Sequence, residues 1–98
     1  MGAIVFIGDE LTAAGMRLAG VEPVLQGRGT AAEALAEARQ SAALVLITAE
    51  CARAVPAAEL AAALIAEVPV LAIVPDINGR TAPPDLTREL MAALGIET

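Results

Sequence analysis

An acidic pair sits directly after an apolar run in AIVFI-G-D-E, residues 3–10, and a further aspartate follows a second apolar run in PVLAIVP-D, residues 69–76. Asp9, Glu10 and Asp76 are therefore the candidate cation ligands, because carboxylates at one edge of a sheet are the donor set that a hard divalent ion takes. A phospho-accepting Mg²⁺ site of the response-regulator receiver kind would also need an aspartate ending the third strand and a lysine after a later one. Thr48 holds the first place, and the chain has no lysine. The plainer reading is that Asp9 and Glu10 cap and charge-match the start of a helix. The segment G-R-G-T-A-A, residues 27–32, has the G-x-G-x-x-[GA] spacing of a dinucleotide loop, with Glu50 about twenty residues on. It follows a weak strand rather than the first one, and Thr30 with Glu33 already accounts for it as a capped helix start. Cys51 falls near a helix start, but no histidine or lysine exists to activate it, so it reads as a small structural residue.

The missing residue types narrow the chemistry further. Without lysine there is no P-loop and no Schiff base; without histidine there is no Ser-His-Asp or Cys-His arrangement. A net charge of −6, six arginines and a single aromatic residue argue against nucleic acid, which asks for basic patches and stacking rings. One cysteine makes no internal disulfide and fits a reducing compartment. No apolar run approaches the ~18 residues of a membrane span. The first strand starts at once, with no signal-peptide pattern, so the expected setting is cytoplasmic, with no direct membrane insertion and no cofactor.

The elements that would position these residues alternate regularly. Strands are expected at 2–7, 21–26, 43–48 and 69–74, and helices at 10–19, 30–41, 56–67 and 84–94. Pro23 suits an edge strand, T-A-A-E at 30–33 is a capping box, Pro56 and Pro84 suit first helical turns, and Gly95 suits a helix end. Continuous apolar strands separated by helices predict a parallel sheet covered on both faces. With right-handed crossovers the simplest order is 2-1-3-4. That is a Rossmann-like (flavodoxin- or receiver-like) doubly wound α/β fold with a C-terminal helix. One domain is expected over 1–98, a βα core to residue 76 and then a loop and helix.

In the first helix Leu11, Ala14, Gly15, Leu18 and Ala19 form an i, i+3, i+4, i+7, i+8 stripe, which predicts that this side faces the sheet. A mid-helix glycine costs about 1 kcal/mol against alanine, and close approach of helix and strands would explain Gly15. In the last helix Leu86, Leu90, Ala93 and Leu94 are expected to be buried. If it returns to the face of the first helix, Met16 and Met91 flank one apolar patch with Arg17 and Arg88 around it. Two readings fit these methionines: an adaptable partner surface, or padding between two helices.

The residues I-G-D-E-x-T-x-x-G-M-R-L-A-G-V at 7–21 resemble the opening of the F subunit of the V/A-type (vacuolar/archaeal-type) rotary ATPases. The resemblance continues through LITAECARAVP at 46–56 and PVLAIVP at 69–75 to LTRELMAALGIET at 86–98, so it covers essentially the whole chain. It implies a non-catalytic central-stalk (rotor) component with a Rossmann-like fold. Such a component clasps the coiled-coil D subunit of the stalk, meets the catalytic A/B head, and helps couple ATP synthesis or hydrolysis to ion transport at the membrane periphery. The partner-binding residues are then expected among Met16, Arg17, Leu18, Arg88 and Met91, with Gly8, Gly15 and Gly20 structural. The family usually has phenylalanine where this chain has Met16, which keeps an apolar contact. The terminal helix is short, so no long regulatory extension is expected.

Overall fold

Four runs, AIVFI, VLQ, AALVLIT and VLAIV, are rich in aliphatic and β-branched side chains, and each forms a strand. The structure, a computed structural model, describes residues 3–18, 24–26, 29–75 and 83–95, and 24–26 through the backbone alone. In chain order the elements are β1 (Ala3–Ile7), α1 (Glu10–Leu18), β2 (Val24–Gln26), α2 (Ala31–Ser41), β3 (Ala42–Thr48), α3 (Ala49–Ala54), α4 (Ala57–Ile65), β4 (Val70–Val74) and α5 (Thr87–Ala93). The protein is α/β with a parallel sheet. β1, β3 and β4 form its body: Val5 pairs with Val45, which pairs with Leu71. The short β2 pairs with the other side of β1, Val5 against Leu25, so the strands lie in the order β2-β1-β3-β4.

Alternation along the strands separates two faces. Val5, Ile7, Val45, Ile47 and Leu71 join Leu35, Val55, Leu60 and the alanines 34, 38, 52 and 63 in one buried cluster. Leu86 belongs to the same cluster, and Leu90 packs against it. No residue of α1 does. Right-handed crossovers give the reason: β1 to β2 and β2 to β3 run in opposite directions, so α1 and α2 lie on opposite faces. The other face holds Phe6, fully buried, together with half-buried Ile4, Leu44 and Leu46.

Three expectations change here. The last helix does not return to the side of α1; it packs chiefly on α4, and Leu86 and Leu90 tie it to the α2–α3–α4 layer. Ala93 and Leu94 are exposed rather than buried, Leu94 at 59%. The helix expected at 56–67 forms as α4, Ala57–Ile65, but a further short helix, α3, precedes it where none was expected. Thr48, itself 1% exposed, accepts the Cys51 N–H at 3.2 Å and starts α3, while Val55 and Pro56 separate α3 from α4. By contrast, the capping box at α2 is present in both directions: Thr30 Oγ1 accepts the Glu33 N–H and Glu33 Oε1 accepts the Thr30 N–H, each at 3.1 Å.

Phe6 is the largest side chain that is fully buried and the chain's one aromatic. Phe6→Ala is expected to destabilise the fold by about 3–5 kcal/mol, measured by urea unfolding. A loss under about 1 kcal/mol would mean that the ring is not held by its surroundings.

Candidate functional site

Ligands of open parallel α/β sheets bind beyond the carboxyl ends of the strands. At this edge Gly8 follows β1 and Thr48 ends β3. A Cβ built on Gly8 would lie 2.5 Å from the Phe6 ring, at Cζ, and 2.5 Å from the Thr48 methyl. The ring and the methyl group therefore pack right up against the β1–α1 turn, and no side chain fits there. Thr48 turns its hydroxyl to the Cys51 N–H and its methyl to this contact, so it serves as a cap and a plug together.

Asp9 is engaged in the same turn. Its Oδ1 accepts the Thr12 hydroxyl at 2.7 Å and its Oδ2 accepts the Thr12 N–H at 2.9 Å. These two bonds, the hydroxyl's first, hold the Asp9 carboxyl below the usual aspartate range. Glu10 is exposed in the first turn of α1, and Asp76 lies outside the described residues. Among the described residues no group of three His, Cys, Asp or Glu side chains could hold a metal ion. Gly29 takes a left-handed φ of +80° before the capped helix, a turn conformation that glycine suits; Gly27 and Arg28 of the candidate dinucleotide loop lie outside the described residues. Cys51 is a half-buried free thiol. A groove of about 430 Å³ runs between residues 52–57 and 84–86. Its lining is mostly alanine, proline and valine, and its carboxylate, Asp85, already accepts from the Thr87 hydroxyl and N–H at 2.7 and 3.0 Å.

The Asp9–Thr12 cap explains how α1 is turned. Thr12 scores as polar in a hydropathy pattern, yet its hydroxyl is satisfied by Asp9, and Thr12 and Ala13 are the buried residues of α1. Met16, one turn on, is half-buried. The stripe expected to face the sheet instead faces solvent: Leu11 is 63% and Leu18 90% exposed, with Ala14 and Gly15 exposed between them. A Cβ on Gly15 would meet nothing within 4 Å, so close approach within the chain does not explain that glycine. Ala19 and Gly20 lie outside the described residues. Arg17 is exposed beside Leu18; on α5 Arg88 is exposed and Met91 half-buried. Because α1 and α5 belong to opposite faces, Met16 and Met91 do not build one patch. Leu11 is the exposed residue that the stripe reading missed, and the D-x-x-T spacing of Asp9 and Thr12 is the signal that could have found it. A second exposed apolar group, Ile65, Val68 and Val70, lies at the opposite end of the sheet, around the start of β4.

The family model described as ATP synthase (F/14-kDa) subunit matches residues 4–91. No curated protein and no solved structure matches the chain. Among the described residues no helix is long and apolar enough to cross a membrane.

The Asp9 cap sets a pH response. A carboxylate whose folded pKa is depressed adds stability above its unfolded pKa, ~3.9, and that stability is lost as pH falls through the folded value. Asp9 is therefore expected to titrate below ~3.9 in a carboxyl NMR titration, and Thr12→Val to move it up toward that value. An unshifted Asp9 in the parent chain would contradict the cap.

Proposed function

The chain belongs to the family described as ATP synthase (F/14-kDa) subunit, and from that membership we propose that it is a non-catalytic component of the central stalk (rotor) of a V/A-type ATP synthase/ATPase. The observation that carries the proposal is the family match over nearly the whole chain. Its partner is the coiled-coil D subunit of the stalk, and through it the chain helps couple ATP synthesis or hydrolysis to ion transport. Its place is cytoplasmic, peripheral to the membrane through the complex. The exposed leucines of α1 support a binding role.

The two helices divide the partner contacts between them, because they lie on opposite faces of the sheet. Arg17 and Leu18, with Met16 beneath them, belong to the surface toward the coiled coil. Arg88 and Met91 on α5 form a second, separate candidate contact surface. Arginine beside an apolar side chain is a combination favoured at interface centres.

Co-expression with the coiled-coil stalk protein of the same organism, followed by size-exclusion chromatography, tests the assignment. A stable complex of the two chains is the expected result. Separate elution of two folded proteins would contradict it.

A further inference from the structure

Among the described residues nothing explains Gly15. It sits in the middle of a nine-residue helix, in a chain where alanine occupies 24 of 98 positions, and the space around it is open. Glycine there weakens the helix without easing any contact the chain itself makes. Yet it lies between two leucines at i and i+7, 63% and 90% exposed, with Ala14 beside it. The outer face of α1 thus reads L-x-x-A-G-x-x-L: two bulky apolar ends and a low centre. A body with one straight row of side chains, another helix, fits that profile, because its backbone can come close where Cβ atoms are small or absent.

Charge gives the direction. Glu10 and Arg17 are also seven residues apart and flank the leucines, the acid at the N-terminal end of α1 and the base at its C-terminal end. Each sits where its own helix dipole favours it. A second helix obeying the same preference carries acids near its start and bases near its end. Laid antiparallel on α1, it brings its bases to Glu10 and its acids to Arg17; laid parallel, it opposes like charges. Flanking charges of this kind set orientation in helix pairs.

We propose that the outer face of α1 is the seat for one antiparallel helix of the stalk partner, crossing closest at Gly15. A bulky apolar residue of that helix lies over Ala14 and Gly15 between Leu11 and Leu18, with an acid beside Arg17 and a base beside Glu10. This rests on the stalk reading above and locates its binding surface.

The test uses the full chain and the purified coiled-coil stalk protein, with binding followed by calorimetry for the parent, Gly15→Leu, Leu18→Glu and Arg17→Glu. Val70→Thr, at an exposed position on β4, is the control. Gly15→Leu fills open space and suits a helix, so the free chain should melt no lower than the parent. Binding should nonetheless fall at least tenfold in Gly15→Leu and Leu18→Glu. Arg17→Glu should weaken binding most at low salt, and Val70→Thr should bind as the parent does. If the parent binds and the α1 variants bind equally well, the seat is elsewhere: this inference is overturned and the stalk assignment stands. If the parent does not bind, both fall. The acid–base order on α1 is also self-complementary, so a parent that dimerises through these leucines and loses the dimer in Leu18→Glu, without binding the coiled coil, would make a second copy the occupant and overturn the inference.

Discussion

The fold depends on how closely alanine-rich helices can lie on a thin aliphatic sheet. Val5, Ile7, Val45, Ile47 and Leu71 offer a smooth face, and alanines 34, 38, 52 and 63 come down on it with almost no side-chain bulk. Alanine loses little rotamer entropy on burial, and it lets the helix backbone itself come close to the sheet. The arrangement works only if the larger side chains, Leu35, Leu60 and Leu86, fill the gaps between helices on that same side. This draws α5 to the α2–α3–α4 layer. Among the described residues the opposite side has one fully buried large side chain, Phe6, and one helix, α1, so the two faces are unequally covered there.

That inequality separates structure from function along the chain. The β1–α1 turn is occupied by its own residues: the Phe6 ring and Thr48 methyl leave no room at Gly8, and the Asp9 carboxylate is spent on Thr12. The contact of Gly8 with Phe6 and Thr48 joins the ends of β1 and β3 and the starts of α1 and α3. Among the described residues the large apolar side chains left exposed are on α1, on and after α4, at the start of β4 and just past α5.

How much of this was legible in the sequence follows from the range of the interactions. The α/β class with a parallel sheet was legible, because continuous aliphatic runs bounded by glycine and proline are a local signal. The capping box at Thr30 and Glu33 was legible because both partners lie within one turn. The short helix α3 was missed because the Thr48 hydroxyl on the Cys51 N–H turns a strand's last residue into a helix cap. The direction in which α1 faces was missed because both of its sides are apolar or small. The Asp9 bonds satisfy Thr12, so a threonine can go inward while two leucines go outward. The side taken by α5 depends on Leu86 and Leu90 meeting residues far back in the chain, which no local pattern encodes. The family, carried by short motifs spread from end to end, was legible without any of these.

If the chain binds its partner through the outer face of α1, that face is where the complex and the free chain should differ. Amide hydrogen exchange, compared between the free chain and its complex with the coiled-coil stalk protein, tests it most directly. The account predicts that added protection concentrates in residues 10–18, with little change at Gly8 and around Thr48, already plugged in the free chain. Protection that appears instead at the β1–α1 turn and the start of α3, with α1 unchanged, would contradict it.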